Sequence, residues 1–143
     1  MAQMSDSCPF CDIVAGRAHA ELVHQWPRAV AFFPREPATV GHTLVVPREH
    51  VADIWSLEKD LGRIISDCVL ETANAIRFAL GPPGLNVINS AGKAATQTVG
   101  HLHVHLLPRY QGDRMGLVWP EVSSATTAKL RSGAGSLLHS TTR

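Results

Sequence analysis

The chain has 143 residues, 45% of them hydrophobic and 17% charged, with a formal net charge of +1 at neutral pH. That length suits one domain with a real core, and the near-neutral balance gives no electrostatic case for binding nucleic acid or a membrane surface. No apolar run approaches the roughly 20 residues needed to span a bilayer, residues 1–7 carry no leader-like basic or apolar region, and three cysteines are too sparse for a disulfide framework. The expectation is a cytoplasmic protein with reduced thiols. It divides into a flexible N-terminus (1–7), one domain (8–120) and a C-terminal tail (121–143) with a weak helix around Ala125 to Leu130.

In chain order, Cys8-Pro9-Phe10-Cys11 comes first, and Asp12 to Gly16 reads as a short helix stopped by glycine. Glu21 to Gln25 and Ala29 to Phe33 are β-prone runs around Trp26-Pro27-Arg28, a hairpin pattern. Pro34 and Pro37 then interrupt regular structure, because neither offers an amide donor. Thr43 to Pro47 is a third strand, and its continuous apolar run implies burial on both faces. Ser56 reads as the N-cap of a long helix to about Leu80, with a stripe of Leu61, Ile64, Ile65, Cys68, Ala75, Ile76 and Ala79. Cys68 on that stripe is core filler rather than chemistry. Gly81-Pro82-Pro83-Gly84 ends the helix, Leu85 to Asn89 is a fourth strand, and Ser90 to Thr96 is a loop of small residues. Arg109 to Pro120 is loop-like, with Trp119 as its only large anchor. The sum is an α+β domain: a mostly antiparallel sheet of about five strands, one long helix and a short N-terminal helix.

Gln97 to Leu107 is the most informative stretch, because His101, His103 and His105 alternate with Leu102, Val104 and Leu106. Alternate side chains of a strand share a face, so the three imidazoles would line one side of a fifth strand. Three readings follow. The rings are hydrogen-bonded surface residues, or they form a His₃ catalytic zinc site with an open position for water. In the third, one imidazole is a nucleophile toward phosphorus while its neighbours orient it and hold phosphate oxygens.

Gln97-Thr98-Val99-Gly100-His101-Leu102-His103-Val104-His105 resembles the signature of the histidine-triad (HIT) family of nucleotide hydrolases and transferases. Gly41-His42-Thr43-Leu44-Val45-Val46-Pro47-Arg48-Glu49-His50-Val51, Asn89, and Phe10-Cys11-Asp12-Ile13-Val14-Ala15-Gly16 resemble its other recurring blocks, in order, from Cys8 to Trp119. The resemblance implies that His103 attacks the α-phosphorus of a purine nucleotide conjugate, giving a covalent nucleotidyl-histidine that water then hydrolyses. It implies that the backbone carbonyl of His101 fixes the tautomer of His103, that His105 contacts phosphate oxygens, and that His42 supports the cluster. It further implies that Gln97 and Thr98 contact the phosphate or leaving group, that Asn89 reaches the phosphate or ribose, and that Phe32 lines the base pocket. A homodimer is implied in the same way.

Cys8-Pro9-Phe10-Cys11 superficially resembles a glutaredoxin motif, which should follow a strand; the seven residues before Cys8 leave no room for one. Some bacterial HIT proteins hold structural zinc with this cysteine pair, the histidine ending the second block and the first triad histidine. Those positions here are Cys8, Cys11, His50 and His101, the four ligands a closed site needs, so zinc is favoured over free thiols. The chain also departs from the family. Pro34 stands where many relatives have the aspartate that receives the ribose hydroxyls, Gly100 where a large residue is common, and Thr96 where glycine is frequent. His19, His24 and His139 match no family position and read as surface histidines, and Trp26 and Trp55 read as packing residues. Trp119 either approaches a partner subunit's site or anchors its own loop. The expected function is hydrolysis of nucleoside phosphoramidates or related adenylyl conjugates. A dinucleoside polyphosphate hydrolase and a nucleotide-binding regulatory module are the rivals.

Overall fold

The computed structural model describes residues 8–120 and 124–134. The expected flexible segment 1–7, the remainder of the tail and His139 lie outside them. Among the described residues eight α-helices and strands follow one another: α1 (Pro9–Val14), β1 (Leu22–Gln25), β2 (Ala29–Phe32), β3 (Thr43–Pro47), α2 (Lys59–Leu80), β4 (Gly84–Asn89), β5 (Val104–Arg109) and α3 (Ser124–Ala134). The five strands form one antiparallel sheet in the order β1-β2-β3-β5-β4. Among the described residues no helix is long and apolar enough to cross a membrane.

The alternation within β2 and β3 assigns the two faces of the sheet. Ala29, Ala31 and Val45 point to one side, where with Leu106 they meet Leu61, Ile65, Cys68 and Ile76 of α2. Val30, Phe32, Leu44 and Val46 point to the other, where they meet Cys8 and Phe10 from the α1 end. Every residue of β3 is buried, as its continuous apolar run requires. Burying each such Val, Leu or Phe side chain is worth about 1.5–3 kcal/mol, so the two packing layers hold the sheet from both sides.

The long helix differs from expectation at its start and along its stripe. Asp53 caps a single 3-10 turn, Ile54–Ser56, by accepting from Ser56 N at 3.1 Å. Ser56 is therefore inside that turn and cannot cap α2, which begins at Lys59 after an extended Leu57. The buried stripe runs Leu61, Ile65, Cys68, Thr72 and Ile76, while Ala75 and Ala79 are exposed. Thr72 is admitted because its hydroxyl donates back to Cys68 O at 2.7 Å, so its own polar group is paired. The left-handed Gly81 (φ 54°) ends the helix with its amide on Arg77 O.

The fifth strand is shorter than the histidine alternation suggests. Ladder pairing with β3 and β4 begins at Val104, so only His105 of the three histidines lies on β5. The preceding residues are held differently: Leu102 N donates to Val51 O at 2.6 Å, and His103 O accepts from Asn89 Nδ2 at 3.0 Å. The loop after β5 is anchored by an ion pair rather than by Trp119, which is 81% exposed. Arg109 grips Asp113 through two nitrogens at 2.7 and 3.0 Å and holds its carboxyl far below the usual range. Trp26 does pack against the α2 core, donating to Glu71, whereas Trp55 is 77% exposed and does not. The α3 helix extends beyond the expected Ala125 to Leu130.

Thr96 is the one non-glycine residue with positive φ (67°) among the described residues. A β-branched side chain is poorly suited to that region, so this backbone is strained. Replacing Thr96 by glycine is expected to raise unfolding stability by about 1 kcal/mol, with a melting point higher by about 4 °C. Chemical and thermal denaturation of Thr96→Gly beside the parent measure this; equal or lower stability contradicts the strain. Gly41 (φ 87°) is the opposite case, since a Cβ there would lie 2.3 Å from Leu80 Cδ1.

Candidate active site

The carbonyl oxygen of His101 lies 2.7 Å from Nδ1 of His103. A carbonyl can only accept, so Nδ1 must carry the proton, and Nε2 is left with its lone pair. Burial lowers the pKa of His103, and the bond to His101 opposes that shift only in part. The ring packs edge-on against Phe10 at 5.1 Å and His105 at 4.9 Å, which fixes its plane. The result is a neutral imidazole on the wall of the cleft, with Nε2 as its basic nitrogen.

A second chain of bonds sets the tautomers of His42 and His105. Ala38 N donates to His42 Nδ1 at 3.0 Å, so His42 carries its proton on Nε2. That nitrogen donates to His105 Nδ1 at 2.9 Å, which leaves His105 Nε2 as an N–H donor. Burial, with help from neighbouring His103 and His42, takes the His105 pKa down to about 4, and burial lowers that of His42 as well. The pair is neutral at pH 7, and its outer end donates. Tyr110 Oη donates to Val40 O at 2.9 Å and braces the turn from which His42 projects.

These rings open onto a cleft of about 980 Å³ between α1 and the segment from Phe33 to His42. Phe10, Ile13, Phe32 and Leu44 supply apolar wall, Thr98 a hydroxyl, and Glu21, Arg35 and Glu36 a charged rim. Phe32 is buried and stacks edge-on against Phe10 at 5.5 Å. Pro34 lines the cleft, so no side-chain carboxylate occupies that position. His19 is exposed at the mouth and His24 is exposed beside Trp26, 4.6 Å between centroids, so neither joins the triad.

A different group assembles behind the triad. Cys8 Sγ and Cys11 Sγ lie 3.4 and 3.5 Å from His101 Nδ1, and Cys11 Sγ lies 3.2 Å from His50 Nδ1. All four donor atoms fall within 4.8 Å of one another. Tetrahedral zinc at about 2.3 Å from sulfur and 2.0–2.1 Å from nitrogen puts neighbouring ligands about 3.5 Å apart, so this donor set fits. His101 is prepared for it: its Nε2 donates to Pro47 O at 2.9 Å, which turns the Nδ1 lone pair toward the sulfurs. Burial, together with the neighbouring Cys8, pushes the Cys11 thiol up to about 11.

The structure therefore brings His103, His105, His42, Phe32 and Thr98 to one cleft and gathers Cys8, Cys11, His50 and His101 beside it. It does not bring Asn89 or the Gln97 side chain into the cleft lining. Asn89 Nδ2 is bonded to His103 O, and the Gln97 amide is bonded to Gly92, Ala52 and Val99. Sequence reasoning missed Phe10, whose ring touches both His101 and His103, and the backbone oxygens of Pro47 and Val40. Phe10 carried a signal as the aromatic inside the Cys-x-x-Cys; backbone acceptors carry none.

The HIT domain profile matches residues 15–112. The chain belongs to the HIT family. Among solved structures, this HIT protein is 36% identical to a HIT family protein from Bacillus anthracis, covering 94% of this chain and 97% of that one with a TM-score of 0.81. It is 32% identical to a zinc-bound histidine triad family protein from Mycobacterium smegmatis, covering 94% and 96% with a TM-score of 0.72. Among curated proteins, it is 32% identical over 117 residues to an adenosine 5'-monophosphoramidase of Schizosaccharomyces pombe, covering 80% of this chain and 84% of that one.

The neutral pair has a measurable cost in acid. Unfolded histidines bind protons near pH 6.5, while folded His105 does so only near pH 4. Between those values the unfolded chain holds more protons, so the stability of the HIT protein rises with pH. The slope approaches one proton per such site, about 1.4 kcal/mol per pH unit. Urea denaturation from pH 4 to pH 7 should show that slope in the parent and a shallower one in His105→Gln. A pH-independent stability contradicts a neutral His42–His105 pair.

Proposed function

We propose that this HIT protein is a nucleotide hydrolase that cleaves nucleoside phosphoramidates or related adenylyl conjugates through a covalent intermediate on His103. The observation that carries the reading is the bond from His103 Nδ1 to His101 O, which leaves Nε2 unprotonated on the wall of a nucleotide-sized cleft. The Nε2 lone pair attacks the α-phosphorus. As the N–P bond forms, the bond to the leaving amine breaks, and the amine departs with a proton delivered from water. A second water then attacks the nucleotidyl-histidine and gives its proton to the hydroxide left by the first, releasing the nucleoside monophosphate and returning Nε2 to its starting state. His105, as a neutral N–H donor, takes a phosphate oxygen without first shedding a charge. Asn89 acts through the His103 backbone, Thr98 is the hydroxyl offered to phosphate or leaving group, and a purine lies against Phe10, Ile13 and Phe32. The named activity of the fission-yeast relative supports the phosphoramidate class over dinucleoside polyphosphates.

The same reading gives Cys8, Cys11, His50 and His101 to structural zinc, supported by the donor geometry and by the zinc-bound mycobacterial relative. Bound there, zinc would cross-link α1, the chain after β3 and the His101 segment, and would supply no open coordination position for chemistry. A homodimer is also part of this proposal. Phe78 of α2 is 95% exposed, and β4 is an edge strand, a combination that a second copy can cover. The site of action is the cytoplasm, in keeping with the reduced thiols the zinc cluster needs.

His103→Asn is expected to lower turnover of an AMP–amine conjugate by at least about 10³-fold while AMP still binds, because the nucleophile is lost and the cleft is not. Mass spectrometry of acid-sensitive adducts in the parent should find AMP on His103 during turnover. Full activity of His103→Asn sinks the hydrolase reading, and AMP binding without turnover of any conjugate by the parent favours a regulatory module. For the metal, purified parent should carry zinc at one per chain. Cys8→Ser should lose that zinc along with about 2 kcal/mol or more of stability. Zinc-free parent of unaltered stability contradicts the structural site.

A further inference from the structure

Gln97 sits four residues before His101, and its side chain joins three separate pieces of backbone. Nε2 donates to Ala52 O at 2.8 Å and to Val99 O at 3.0 Å, and Oε1 accepts from Gly92 N at 2.8 Å. Its main-chain N–H also donates to Gly92 O at 3.1 Å. A primary amide has two hydrogens, and both are engaged, so Gln97 has none to offer a phosphate. Its oxygen would repel one. Thr98 and Val99 line the cleft, and Gln97 does not.

We infer that Gln97 is a positioning residue, a clamp that fastens the loop bearing His101 and His103 to the chain after β3, and that it does not bind the phosphate. This rests on the hydrolase reading above for what the clamp serves. Two independent features of the loop agree with it. Leu102 N donates to Val51 O at 2.6 Å, so residues 97 and 102 are tied to adjacent positions, Ala52 and Val51. Immediately before Gln97, Thr96 holds a left-handed backbone (φ 67°) that reverses the chain and turns Gln97 inward. Strain of that kind persists where surrounding bonds over-determine the conformation, as the Gly92–Gln97 exchange does here. The consequence lies at His101, whose carbonyl must sit 2.7 Å from His103 Nδ1 to choose the reactive tautomer. A loosened loop misplaces that oxygen. Binding of nucleotide is unaffected; the chemical step is not.

The test uses the full chain with two substitutions. Gln97→Glu keeps an acceptor for Gly92 but places a carboxylate against the Ala52 and Val99 carbonyls, whereas Gln97→Met removes all three bonds without adding charge. AMP affinity is read by calorimetry, turnover on an AMP–amine conjugate, and loop fastening by amide hydrogen exchange. Both variants are expected to bind AMP within about threefold of the parent while kcat falls by about 30-fold or more. Exchange should accelerate by about tenfold or more at Leu102 in Gln97→Glu and at Gly92 in Gln97→Met. AMP affinity weakened by about tenfold, or exchange at those amides unchanged from the parent, overturns the inference. Should Gln97→Glu not fold, the uncharged variant reads the same three quantities. A parent that binds AMP yet hydrolyses no conjugate removes the hydrolase reading, and the exchange and affinity arms still decide the clamp.

Discussion

A carbonyl oxygen has no proton to give, and at His101 that elementary limit organises the site. Because this oxygen faces His103 Nδ1, the proton of the second ring is fixed in place and the opposite nitrogen is basic. The same residue uses its own ring in the reverse sense. Pro47 O takes the His101 Nε2 proton, so the other nitrogen turns toward two sulfurs. One fully buried residue thus faces two chemistries, backbone toward the His103 ring and side chain toward the cysteines. Neither assignment needs a charge. Both follow from which partner can donate.

The sheet makes this arrangement possible by dividing its labour between faces. The α2 side is closed by aliphatic packing and carries no titrating group of the triad. The α1 side carries aromatic rings, imidazoles and sulfurs, with Phe10 between the cleft and the cysteine cluster. Burial there lowers the basicity of His42, His101, His103 and His105 together, so the rings stay neutral side by side where charged ones would repel.

Much of this was legible in the residues, for stated reasons. Strand positions followed from the β-prone run Ala29 to Phe33 and the continuous apolar run Thr43 to Pro47, and strands lie at both. The triad was legible because side-chain identity and alternation carry its chemistry, whereas the Cys8, Cys11, His50 and His101 set came from the resemblance to bacterial HIT proteins; the structure gathers both. The start of β5 was not, since alternation tells which way side chains point but not whether a neighbouring strand pairs; pairing begins only at Val104. Ser56 misled because Asp53, three residues earlier, captures its amide first. For Gln97 the resemblance transfers a residue type, while the direction of its amide depends on the backbone groups of Gly92, Ala52 and Val99 that the fold brings near. Pro47 O, Ala38 N and Val40 O were invisible, since every residue has the same main chain.

The cysteine–histidine cluster also has a history in time. Cys8 and His101 are separated by 93 positions, and Cys11 and His50 by 39. Bringing such distant partners together costs closure entropy that local turns do not incur, so these contacts belong to the late part of folding. On a ribosome the two cysteines emerge first and wait for most of the domain to be synthesised before their last partner exists. Until then they are an open pair of thiols on an incomplete chain.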